Sequence, residues 1–99
     1  MAEQGRKGLP QFAPALLRYL GGEAMSVDGV ASVPASATYV RIAAEGGDVY
    51  YAFNAGDVTA SSPGFCSQDG ERLAGPLGNI ESLRIHLGAG AVAHIEYYN

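Results

Sequence analysis

The chain has no tryptophan, a single cysteine, two histidines and few charges. Each shortage removes a class of function. A lone Cys66 cannot close an intrachain disulfide or build a zinc site from thiolates. It sits in Ser61-Ser62-Pro63-Gly64-Phe65-Cys66-Ser67 with no histidine close by in sequence, so it reads as a buried, inert thiol rather than a nucleophile. The lack of a disulfide framework suits a reducing compartment. Charged residues are 16% of the chain, against roughly 25% in a typical soluble domain. Six basic and ten acidic side chains leave a net charge of −4, and Arg6-Lys7 is the only adjacent basic pair. A nucleic-acid backbone requires clustered Lys and Arg, so no nucleic-acid partner is expected. No apolar run reaches the roughly 18 residues of a membrane-crossing helix. Pro10, Gln11 and Pro14 break the stretch after Arg6-Lys7, so neither a membrane partner nor a signal peptide is expected.

Catalytic signatures are missing too. There is no Gly-x-Ser-x-Gly elbow, and Gly75, Gly78, Gly88 and Gly90 do not follow a strand and open a helix, as a phosphate cradle would. The available carboxylate pairs, Glu71 with Glu81 or Asp48 with Asp57, lie in or beside turns where solvated charge is the default. His86, His94 and Glu96 could in principle form a two-histidine, one-carboxylate metal site. His86, however, lies opposite the Leu83/Ile85/Leu87 set and should point to solvent or a partner, and the facing of His94 depends on register. A cupin-type metal barrel would need several histidines and a carboxylate at tight spacing, which this chain lacks. The expectation is no enzyme, no cofactor and no metal.

What remains is a string of short strands divided by glycine turns. Ninety-nine residues make one domain that buries roughly 60–65% of its unfolded surface. Val40, Ile42 and Ala44 alternate with Tyr39, Arg41 and Ala43; Val49, Tyr51 and Phe53 alternate with Tyr50 and Ala52. Glu45-Gly46-Gly47-Asp48 between these runs predicts a hairpin. Leu83–Leu87 and Ala91–Tyr98, joined by Gly88-Ala89-Gly90, predict a second. Further strands are expected at Glu23–Val27, Val58–Ala60 and, weakly and at an edge, Glu71–Leu77, with a loop over residues 61–70. The turns are too short for parallel crossovers. The expected fold is all-β: a small antiparallel β-sandwich or jelly-roll-like barrel over residues 24–99.

Residues 1–23 read differently, as an N-terminal arm. Pro14 to Leu20 predicts a short helix ended by Gly21, with Leu16, Leu17 and Leu20 on one side and Phe12 or Ala13 adjoining. Seven residues hold no helix alone, so the segment must dock on its own domain or on a neighbour. Six tyrosines, including Tyr50-Tyr51 and Tyr97-Tyr98, add the other expected contacts. In a strand each pair sends one ring inward and the other outward, and outward rings suit interfaces, although tyrosine is also simply a good strand former. The expected contact residues are Phe12, Leu16, Leu17, Leu20, Tyr50 and Tyr98.

The runs Tyr39 to Phe53, Gly70 to Leu77 and Val92 to Tyr98 resemble the small β-sandwich virion proteins of tailed bacteriophages, in kind the capsid decoration or cement proteins. The resemblance spans roughly residues 38–98 and is one of style, without an invariant signature. It implies a homo-oligomer, in that group often a trimer, placed on the capsid surface against the major capsid protein after synthesis in the host cytoplasm. Another phage part (tail, neck or fibre attachment) and a carbohydrate-binding module using tyrosine platforms stand beside it.

Overall fold

The computed structural model describes residues 17–54, 56, 58–59 and 64–99. Among them are β1 (Tyr19–Met25), β2 (Gly29–Val30), β3 (Tyr39–Glu45), β4 (Val49–Phe53), β5 (Gly64–Cys66), β6 (Glu71–Ala74), β7 (Leu83–Leu87) and β8 (Val92–Tyr98). The antiparallel pairings are nested: β1 with β8, β2 with β7, β3 with β6 and β4 with β5. Two further pairings, β3 with β8 and β4 with β7, wrap this long ribbon into two four-stranded sheets. The first has the order β1-β8-β3-β6 and the second β2-β7-β4-β5. The result is the all-β sandwich expected, wound in jelly-roll order.

The period-two alternation decides what fills the space between the sheets. Val40, Ile42 and Ala44 of β3 and Ala93, Ile95 and Tyr97 of β8 point in from the first sheet, and all are buried. Val49, Cys66, Leu83 and Ile85 answer them from the second, with Tyr51, Phe53 and Leu87 half-buried around them. Burying one large aliphatic side chain contributes about 1.5–3 kcal/mol, so these positions carry the fold.

Neither predicted hairpin forms as such. Glu45-Gly46-Gly47-Asp48 leads from β3 in the first sheet to β4 in the second, and Gly88-Ala89-Gly90 leads from β7 back to β8. Both are corners between sheets, and they stack. Gly46 (φ +79°) and Gly47 approach the other corner so closely that a Cβ on either would lie 2.7 Å from the carbonyl oxygen of Gly90 or Ala89. Glycine is required at both places for contact between the corners rather than for a tight hairpin.

The N-terminal reading also changes. Tyr19 and Leu20 belong to β1, which begins four residues before the predicted Glu23–Val27 strand, and no helix occurs among the described residues. Gly21 does not stop a helix: at φ +137° it accommodates a register irregularity between Tyr19 and Gly21 against β8. That shift turns Leu20 inward, where it packs against the core of its own domain. Phe12, Leu16 and residues 14–16 of the predicted helix lie outside the described residues. Val58 and Thr59 are not in a strand, and Ala60 lies outside the described residues. β6 is the expected edge strand, ending before Gly75-Pro76, whereas β2 follows the predicted Glu23–Val27 strand where none was expected and β5 lies within the predicted 61–70 loop.

Candidate functional site

The inner faces are filled with apolar side chains, and among the described residues no polar or charged one is buried. Cys66 is part of this filling. Its thiol contacts the Ile42 carbonyl at 3.7 Å, and burial pushes its pKa up, away from the reactive thiolate. Chemistry available to another molecule therefore lies on the two outer faces.

On the second sheet, one cross-strand row runs from β7 through β4 to β5. His86 is paired with Tyr50, and Tyr50 with Phe65. The Tyr50 ring lies 5.3 Å from Phe65 and 5.7 Å from His86, centroid to centroid, at tilts of 39° and 38°. Asp28, in the β1–β2 turn, closes the row: its Oδ2 is 2.6 Å from His86 Nδ1, and its Oδ1 accepts the Leu87 N–H at 2.9 Å. The Leu87 amide first, then His86, hold the Asp28 carboxyl below its ordinary range. Beside this row Val30 stands opposite Arg84, and Asp28, Arg84, Val58 and Thr59 border an open groove of about 430 Å³.

The outer face of the first sheet has a different character. Tyr98 meets Tyr19 edge-on at 5.7 Å and has Tyr39 as its β3 partner. Its hydroxyl donates to Glu96 at 2.9 Å. Arg41 joins two acids, with Nε 2.5 Å from Glu71 and Nη1 2.9 Å from Glu96. Farther along, His94 Nε2 is 2.6 Å from Glu45. The polar groups of this face are engaged with each other.

The two expected outward rings are thus on opposite sides of the molecule, Tyr50 on the second sheet and Tyr98 on the first. Leu17 is half-buried at the entry to β1, and Leu20 faces inward. His86 and His94 do not converge. They stand on different sheets with separate carboxylates, and Glu96 is engaged by Arg41 and Tyr98 rather than His94. No group of three or more metal-ligating side chains occurs among the described residues. Sequence reasoning passed over Phe65, because Pro63-Gly64 marks a loop, and Asp28, because Asp-Gly marks a turn. Each reaches its row only through long-range pairing.

No protein-family model, curated protein or solved structure matches this chain.

Proposed function

We propose that the chain is a non-enzymatic virion structural protein, a capsid decoration protein that binds the outside of an assembled bacteriophage head through its outer sheet faces. The observation that carries this reading is the Tyr50–Phe65–His86 row, a strip of ring surface on the outside of a sandwich whose inside is closed by apolar packing. Rings of this kind supply rigid contact area with little entropy to lose, and the polar tip of tyrosine tolerates water when unbound. Repeated at every capsomer junction, a modest contact of about 800 Å² per partner adds up across a shell. The partner is the major capsid protein, and the place is the capsid surface. A tail, neck or fibre-attachment position would use the same chemistry at another location on the particle.

The test is binding to phage heads stripped of this protein, followed by cosedimentation and electron microscopy. Tyr50→Ser with Phe65→Ser should leave the thermal transition nearly in place and lower head binding by about tenfold or more, as loss of central aromatic anchors does. Undiminished occupancy by the double variant would overturn the reading. A second reading, a carbohydrate-binding module, is favoured by the polar groups Asp28 and Arg84 beside the same rings. Retention of the unaltered protein on polysaccharide, lost in the double variant, would select it.

A further inference from the structure

The four sheet edges are not alike. β2 has two residues, β5 three, and β6 has four, with charged Glu71 and Arg72. Short or charged strands are how sheets avoid unwanted pairing. β1 has seven residues and no outward charge; its guards are the milder ones, a bulge at Gly21 and an inward acid. Its outward positions, Tyr19, Gly22 and Ala24, are exposed and uncharged. The one acid, Glu23, turns inward, where Oε2 accepts the Tyr97 hydroxyl at 2.6 Å and the Ser32 N–H at 2.7 Å.

The backbone of this edge is also available. Arg18 and Asn99 exchange both backbone hydrogen bonds, at 2.9 and 3.0 Å, while the Thr38 N–H donates to the Tyr98 carbonyl on the other side of β8. Antiparallel alternation then turns the N–H and C=O of Gly22 and Ala24 away from β8, toward a side that no strand occupies among the described residues.

We propose that β1 is a self-pairing edge, through which two copies of this chain join antiparallel across a two-fold axis into a continuous eight-stranded sheet. A second copy is the occupant for reasons of charge. Two copies of net charge −4 repel on approach, so the surface through which they join has to bring no like charges together, and the outward positions of β1, Tyr19, Gly22 and Ala24, carry none. A register centred on Gly22 sets Glu23 against Gly21 of the other copy, so the two carboxylates do not face each other. It also brings exposed Arg18, at the start of one strand, toward the Ser26–Asp28 turn that ends the other, cation toward acid, twice by symmetry. One edge pairing with itself closes at two copies. A three-fold assembly needs a different surface, so this pairing is independent of capsid binding and can fail or hold without it.

Analytical ultracentrifugation of the full chain tests the pairing. The unaltered protein should sediment as a dimer. Ala24→Lys, which sets like charges along the shared edge, should weaken association by about tenfold or more while the melting temperature of the dilute monomer stays unchanged. Gln68→Lys, the same charge change in an exposed turn away from the edge, should leave the dimer intact. A monomeric unaltered protein, or a dimer indifferent to Ala24→Lys, overturns the proposal. So does a monomer whose Gly22 and Ala24 amides resist hydrogen exchange, since that edge would be covered from within its own chain.

Discussion

The two sheets divide the work unequally. The first is built from three seven-residue strands and the four-residue β6; the second has strands of two, five, five and three residues. Among the described residues the first supplies six buried side chains, Val40, Ile42, Ala44, Ala93, Ile95 and Tyr97; the second supplies four, Val49, Cys66, Leu83 and Ile85, with Tyr51, Phe53 and Leu87 half-buried around them. Their outer faces differ in the same sense. On the first, Arg41, Glu71, Glu96 and the Tyr98 hydroxyl form one ion-pair network beside the Tyr19–Tyr98 edge contact, whereas on the second the rings of Phe65, Tyr50 and His86 form a row across three strands. The lesson is that the long sheet holds the fold together and the short one is freer to present surface.

Truncation of buried side chains should break that contrast first, if it is wrong. Ile95→Ala, in the middle of β8 at 1% exposure, removes atoms that both sheets enclose and should cost about 2–5 kcal/mol. Leu87→Ala on half-buried β7 should cost roughly half as much, because solvent already reaches part of the side chain. Urea unfolding of both variants measures the ratio. Equal losses would mean that the two sheets contribute alike.

A second test concerns a polar contact beneath the first sheet. Tyr97 is 2% exposed, and its hydroxyl donates to Glu23 at 2.6 Å. Burial first, and then this hydrogen bond, push its pKa far above the ordinary tyrosine value. The folded form therefore keeps a proton that the unfolded chain releases. The resulting stabilisation is complete below about pH 10 and falls away as pH rises beyond it. Tyr97→Phe should cost about 1–2 kcal/mol at neutral pH and flatten the alkaline decline in melting temperature. An unchanged alkaline slope would show that Tyr97 is not the group responsible.

The strong alternation of β3, β4, β7 and β8 made their inward and outward residues legible in sequence, because a period of two needs only neighbours. Pairing was not legible. Gly46-Gly47 reads the same whether it closes a hairpin or turns a corner between sheets, and the difference lies in contact with Gly88 to Gly90, some forty residues away. β1 was obscured because Leu16, Leu17 and Leu20 have helical spacing. A bulge at Gly21 later reverses the side of Leu20, and that depends on β8. The contact face suffered likewise: Tyr50 was legible as an outward ring, but its neighbours Phe65, His86 and Asp28 come from three other segments.

The finest contrast lies between two carboxylate–histidine pairs of equal length, one on each sheet. Asp28 meets His86 and Glu45 meets His94, both at 2.6 Å, with the acids 54% and 69% exposed. Exposed pairs of this kind contribute little, about 0.2–1 kcal/mol. Asp28 differs in also accepting the Leu87 N–H, which fastens the β1–β2 turn to β7 and depresses its pKa from the ordinary 3.8. A depressed carboxyl stabilises the fold above the unfolded pKa and ceases to do so as pH falls through the folded one. Asp28→Ala should thus cost about 1 kcal/mol at pH 7, with the gap from the unaltered protein closing as the solution is acidified below about pH 4. Glu45→Ala, lacking a backbone donor, should stay within about 0.5 kcal/mol at either pH. Equal losses at neutral pH would mean that the histidine contacts set the energy and the backbone anchor adds nothing; a gap at Asp28 that survives acid would assign its role to shape rather than charge.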